Sequence, residues 1–193
     1  MDTLESERLL IRELQEGDRE ACRDLLSVEF DYYYGPFDDN PDLDMRFNWL
    51  VSLTQWKSAG GIYGDHAILL KDTGQIIGLC GIDPWIWKAK TKRLLAGLFP
   101  EAVHGIPCTT IEFELGYALK TDYRGQGYAT EGVLCLINWA FEVAEIAEIY
   151  ARTDENNLRS IAMMNRIGME TCASETWGGT AGRLRNPEAG PRR

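Results

Sequence analysis

"DYRGQGYATEG" (Asp122–Gly132) sets three glycines and one arginine at the entrance of a helix. Glycine begins a helix poorly unless the backbone needs a left-handed dihedral or something must come very close to it. A polar turn that opens a helix also gathers free N–H groups and the positive end of the helix dipole at one point. The stretch therefore reads as an anion site, and a pyrophosphate suits it well.

The neighbouring sequence supplies the flanking elements. In "IEFELGYALK" before it, Phe113, Leu115 and Tyr117 alternate with Glu112, Glu114 and Gly116, which predicts a strand. After it, Val133, Leu136, Ile137, Ala140, Phe141 and Ala144 fall at helical spacing. Further out, "RLLIREL" (8–14) predicts a first strand, and Asp18 is the expected N-cap of a helix through "REACRDLLSV". A second helix is expected from Met45. "HAILLKDTGQIIGLCGI" predicts a hairpin turning at Asp72-Thr73-Gly74. "EIYART" (148–153) reads as a short strand, and "ENNLRSIAMMNRIGM" as a helix capped by Asn157 and closed by Gly168.

Three phosphate loops compete for the glycine stretch. A Walker A loop is matched only in its glycines, since Val133 and Leu134 stand where lysine and serine or threonine would hold phosphate and magnesium. The dinucleotide fingerprint G-x-G-x-x-G is met at Gly125 and Gly127, but Thr130 takes its third position and the match comes late in the chain. The third pattern, R-G-x-G-[YLI]-[AG]-[TS] after a strand, resembles the acetyl-CoA pyrophosphate loop of the GNAT superfamily of N-acetyltransferases. The resemblance runs from Arg8 to Met169. It takes in "SERLLIREL", the hairpin with "IIGLCGI", "ELGYAL" and "NNLRSIAMMNRIGM". The last is similar to the N-x-x-S-x-x-x-x-x-[KR]-x-G-[FM] ending of the branch that contains the ribosomal-protein alanine acetyltransferases.

That resemblance implies a mixed α/β fold of GNAT type in a single domain over residues 1–177. Its twisted mixed sheet would carry flanking helices, with the strand from Leu115 to Lys120 splaying from the strand from Glu148 to Thr153. Acetyl-CoA is the implied cosubstrate, its pantetheine arm bonding backbone near Ala118 and Leu119. Its phosphates would meet Arg124, Gly125, Gln126, Gly127, Tyr128, Ala129 and Thr130, with the Arg124 guanidinium as a charge partner.

Acetyl transfer from a thioester to an amine needs a neutral nucleophile, an oxyanion donor and a proton for the departing thiolate, and it needs no metal. Glu114 is the expected base and Glu112 the reserve, because both fall on the strand face opposite Phe113 and Leu115. The alternative is a pair of solvated carboxylates on an exposed strand face. An α-amino group is roughly one-sixth neutral at pH 7, and a lysine only about once in 2,500 molecules. A weak, water-relayed base therefore suffices for an α-amine, and a protein N-terminus is the preferred acceptor. The alternatives are a small amine (polyamine, amino acid or antibiotic) or a CoA-binding module without catalysis. Many members of the superfamily place a tyrosine seven residues after the capping asparagine, and here that position is Met164. Ser160 is the substitute acid that the resemblance suggests, against a plain capping role. Asn157 is open both to capping and to bonding the pantetheine arm.

Composition narrows the remaining classes. Of 193 residues, 45% are hydrophobic and 26% charged, an ordinary globular balance. The formal net charge of −10 speaks against a nucleic-acid surface and suits an amine-bearing substrate. No apolar run approaches the length of a membrane span, the opening "MDTLESERLL" lacks the basic residues of a secretory signal, and a cytoplasmic location is expected. Cys22, Cys80, Cys108, Cys135 and Cys172 never form C-x-x-C, and His66 and His104 lack metal-ligand spacing. Cys80, inside an apolar run, reads as packing.

Two regions resist assignment. Residues 83–110 carry three prolines and no sustained period, which predicts an insertion or lid. Residues 178–193 hold few large apolar residues among glycines, prolines and arginines, which predicts a flexible tail. Such a tail would leave a sheet edge open to a second copy of the chain or another partner.

Overall fold

The computed structural model describes residues 3–28, 46–48, 50–52, 64–88, 109–174 and 179–189. Its strands are β1 (Leu4–Glu5), β2 (Leu9–Glu13), β3 (Gly64–Leu70), β4 (Ile76–Lys88), β5 (Thr109–Leu119), β6 (Glu148–Asp154), β7 (Glu170–Ser174) and β8 (Gly179–Arg185). Its helices include α1 (Arg19–Val28), α2 (Tyr128–Glu142) and α3 (Leu158–Arg166). Among the described residues the strands form one mixed sheet in the order β1-β2-β3-β4-β5-β6-β8-β7. The chain divides into two compact units, Met1–Ile82 with Gly116–Ala144, and Asp83–Leu115 with Glu145–Arg193.

In the first unit β1 to β4 run antiparallel, with Leu9 opposite Leu70 and Ile11 opposite Ile68. The Asp72-Thr73-Gly74 turn forms as expected: the Gly74 N–H donates to the Leu70 carbonyl at 2.8 Å and the Leu70 N–H to the Gln75 carbonyl at 3.0 Å. Period-two alternation sends Leu9, Ile11 and Ile68 to one face, where their methyls lie 3.5–3.8 Å from the point a Cβ on Gly132 of α2 would occupy. The opposite face carries Ala67 and Leu69, packed with Cys22, Leu25 and Leu26 of α1 and with Phe47 and Leu50. Each fully buried leucine or isoleucine contributes about 1.5–3 kcal/mol of transfer free energy, so both faces of this half-sheet are anchored. Residues 46–48 and 50–52 of the expected second helix are helical, and the remainder of it lies outside the described residues.

Asp18 does not cap α1 in the expected way. A 3-10 turn, Glu16–Asp18, precedes the helix, and the Asp18 carboxylate accepts from the Gln15 N–H at 2.8 Å and from the Arg12 guanidinium at 2.7 and 2.8 Å. Burial pushes the Asp18 carboxyl up, but the bonds from Arg12 and Gln15 and the Arg12 charge outweigh it and hold the group below its ordinary range.

In the second unit β5 and β6 pair in parallel, with Phe113 opposite Ile149 and Glu114 opposite Tyr150. Asn157 caps α3 as expected, its Oδ1 accepting from the Ser160 N–H at 3.2 Å. The helix closes through Gly168: its N–H donates to the Asn165 carbonyl at 3.1 Å, and the Met169 N–H to the Met164 carbonyl at 3.0 Å.

The flexible tail expected over 178–193 is corrected here. Residues 179–185 are β8, paired with β6 from Glu148↔Arg185 to Asp154↔Gly179 and with β7 from Glu170↔Arg183 to Ser174↔Gly179. The strand is held by backbone hydrogen bonds along both edges, so it needs few large side chains. Its small residues fit the space instead: a Cβ on Gly182 would stand 2.9 Å from the Met169 sulfur and 3.1 Å from that of Met164. The arginines that read as tail-like are ion-paired, buried Arg183 with Glu170 and Arg185 with Glu148 at 3.4 Å. The open sheet edge is thereby also corrected, since β8 covers β6. The insertion over 83–110 shrinks from both ends, as β4 runs to Lys88 and β5 starts at Thr109, and residues 89–108 lie outside the described residues.

Candidate functional site

At the end of β5 the chain is locked before it turns. The Lys120 N–H donates to the Ile77 carbonyl at 2.9 Å, and β4 comes so near that a Cβ on Gly78 would lie 2.4 Å from the Ala118 carbonyl oxygen. Ala118 and Leu119 are both buried there. A 3-10 turn, Thr121–Tyr123, then delivers Arg124, whose Nε donates back to the Leu119 carbonyl at 3.0 Å. The guanidinium thus braces the base of the loop. Gln126 braces its middle, with Nε2 donating to the Asp122 carbonyl at 2.9 Å.

Gly125 and Gly127 have φ of +75° and +84°, in the left-handed region that side-chain-bearing residues rarely adopt. Space does not demand the glycines. Among the described residues, a Cβ on Gly125 would meet nothing within 4 Å, and one on Gly127 only Arg8 Nη2 at 3.4 Å. The loop therefore needs glycine for its backbone shape, and that shape leaves open ground in front of it. Gly127 is also the N-cap of the 15-residue α2, where a serine or aspartate would ordinarily turn its side chain onto the first N–H groups. Glycine leaves that turn uncapped. Tyr128 and Ala129 occupy the first helical positions, whose N–H groups have no acceptor inside a helix, and Thr130 follows in the same turn. These residues fit a diphosphate: open approach, aligned donors and a helix start.

Residues that sequence reasoning did not single out border this loop. The Glu131 carboxylate accepts from the Arg8 N–H and Ser6 hydroxyl through Oε1, each at 2.7 Å, and from Arg8 Nε through Oε2 at 2.7 Å. Burial pushes Glu131 up, and these bonds and the Arg8 charge outweigh it, holding the carboxyl below its ordinary value. Arg8 Nη1 donates to the Gln126 carbonyl at 3.2 Å, and its guanidinium lies 4.3 Å from the centroid of the Tyr128 ring.

The expected catalytic residues lie in the second unit. Glu114 is two-thirds or more buried and meets Arg152 in a two-point ion pair, at 2.7 Å to Nε and 2.5 Å to Nη2. Glu112 is partly buried on the same strand. Ser160 is partly buried in the first turn of α3. Asn157 uses both ends of its amide within the protein, Oδ1 on the Ser160 N–H and Nδ2 on Thr153 Oγ1 at 2.9 Å. Cys80 is fully buried and burial pushes its thiol up, as packing requires; Cys22 is likewise pushed up to about 12. Among the described residues no cluster of histidine, cysteine or acidic side chains could hold a metal, and no helix is long and apolar enough to cross a membrane. The aromatic stretch "DYYYGPF" (31–37), whose rings could wall an acceptor pocket, lies outside the described residues.

Comparisons with known proteins bear on the family and the fold. The family model for the acetyltransferase (GNAT) domain matches residues 8–170. The uncharacterized N-acetyltransferase p20 of Bacillus licheniformis is 25% identical over 173 residues, which cover 88% of this chain and 83% of the relative. An acetyltransferase of Agrobacterium tumefaciens superimposes with a TM-score of 0.68 at 26% identity, over 96% of this chain and 95% of its own. The ribosomal-protein-S5-alanine acetyltransferase of Vibrio fischeri shares the fold, with a TM-score of 0.65 at 15% identity over 99% and 100% of the two chains.

Proposed function

The chain belongs to the GNAT acetyltransferase family and is an acyltransferase, and from that premise we propose that it moves an acetyl group from acetyl-CoA to a primary amine, preferably a protein N-terminal α-amine. Gly125 and Gly127 support the cosubstrate most strongly, because their positive φ shapes an uncapped helix start with open ground in front of it. Arg124 to Thr130 would hold the diphosphate, and Ala118 and Leu119 the pantetheine arm. Bound acetyl-CoA supplies an activated thioester.

The ion pair of Glu114 supports the choice of acceptor. With two carboxylate oxygens committed to Arg152, this group is better placed to receive a proton through water than to strip one from a strongly basic ammonium. An α-amine, already partly neutral at pH 7, asks no more. Glu114 takes that proton in this reading. The Ser160 hydroxyl holds the one destined for the sulfur, while Asn157 keeps the start of α3 in place.

Calorimetry with CoA tests the cosubstrate site. Wild type should bind, and Gly127→Val should abolish binding, because a β-branched side chain at φ of +84° distorts the loop. Wild-type affinity in that variant would refute the assignment. Thiol release from acetyl-CoA with a panel of peptides and polyamines tests the acceptor. A free α-amine should be required, and turnover only with polyamines or blocked peptides carrying lysine would overturn that preference.

A further inference from the structure

Arg8 stands 123 residues from Glu131 in sequence, yet its side chain is held at three points beside the glycine loop. Three groups fix its guanidinium: Glu131 holds Nε, the Gln126 carbonyl holds Nη1, and the Tyr128 ring lies against its face. The backbone N–H of Arg8 bonds the same Glu131 carboxylate, so main chain and side chain are pinned together. An arginine whose only task was to tie β2 to α2 would be satisfied by the carboxylate. This one reaches past it to the loop carbonyl and sets Nη2 beside Gly127, 3.4 Å from where a Cβ would stand. A guanidinium has five N–H donors, and those two side-chain bonds use two of them. Its side chain remains 43% exposed. The remaining donors are thus held, charged and solvent-accessible, beside Gly127 at the start of α2.

We propose that Arg8 is a phosphate-binding residue of this site, contributing a second guanidinium beside that of Arg124. This rests on the reading of Arg124–Thr130 as the diphosphate loop. The planar fork suits a phosphate oxygen pair, and its fixed position spares the ordering cost that a free surface arginine would carry on binding. Two phosphates of CoA have the required chemistry, the diphosphate and the 3′-phosphomonoester, and both present anionic oxygens to an N–H fork.

Calorimetry on the intact chain separates these sources, titrating CoA and 3′-dephospho-CoA into wild type, Arg8→Ala, Arg8→Lys and Gly127→Val across a series of salt concentrations. Arg8→Ala should weaken CoA by roughly tenfold and flatten the salt dependence of its affinity, since one charge contact is lost. Arg8→Lys should restore the salt dependence but only part of the affinity, because an ammonium cannot reproduce the fork. An equal loss with dephospho-CoA assigns Arg8 to the diphosphate, and a loss confined to CoA assigns it to the 3′-phosphate. Wild-type affinity in Arg8→Ala, with Gly127→Val unable to bind, would leave Arg8 as a tie between β2 and α2 and overturn the inference alone. So would a weakened affinity whose salt dependence matched wild type. Normal CoA binding by Gly127→Val would remove the loop assignment, and this inference with it.

Discussion

Glu114 and Arg152 show how a single contact constrains the role proposed for Glu114. Both carboxylate oxygens point at one guanidinium, so an incoming proton must use the remaining lone pairs. Glu114→Ala and Ser160→Ala are expected to leave CoA affinity near wild type while lowering turnover of an α-amine by about 10²–10⁴. Arg152→Ala is the companion, since a carboxylate released from its two-point ion pair is no longer held in place, and turnover should fall there too. Lower melting temperatures in Glu114→Ala and Arg152→Ala, with turnover unchanged, would reduce the pair to a structural tie. Period-two alternation made Glu114 legible, because the strand pattern is local. Its partner lies 38 residues away on β6, and Arg8 lies 123 residues from Glu131, and a single sequence carries no sign of pairings so distant. The glycine loop was readable for the opposite reason: its dihedrals, its open front and the helix it starts fall within eleven consecutive residues, Asp122–Gly132.

At the level of elements, β8 marks where composition misleads. Strand preference measures fit to a pleated, half-buried surface more than an intrinsic backbone tendency. "GTAGRLR" reads as a poor strand, yet its glycine at 182 lies under the sulfurs of Met164 and Met169, where a side chain has no room. Gly182→Val would raise nominal strand preference and is expected to destabilise the protein all the same, by about 1–3 kcal/mol from overpacking. Urea denaturation measures this, and a stability equal to or above wild type would contradict the packing described. The helices were easier to read because their end signals are short-range: Asn157 and Gly168 bracket α3 as the residue types alone require. Asp18 departs from its expected capping role within the same short range, because its carboxylate is taken by Arg12 and the Gln15 N–H.

For the whole molecule, two depressed carboxyls set a direction for acid stability. Asp18 and Glu131 both titrate below their ordinary values in the folded state, so the unfolded chain takes up protons first as pH falls. Their contribution is complete above the ordinary carboxylate range and fades as pH drops through the folded values. Urea midpoints should therefore decline between about pH 5 and pH 3, and a double variant, Asp18→Asn with Glu131→Gln, should start lower and decline less steeply. A decline as steep as that of wild type would assign the acid sensitivity to other groups. The strand order carries a different consequence, one of timing. β6 lies beside β8, although β7 is made first, so β6 emerges from the ribosome with one hydrogen-bonding edge bare until the 31 residues after Asp154 have been translated. At about 5–20 residues per second that interval lasts a few seconds. During it the nascent chain presents a template for strand addition to its neighbours on the polysome, and the hairpin of β7 and β8 must arrive before they do.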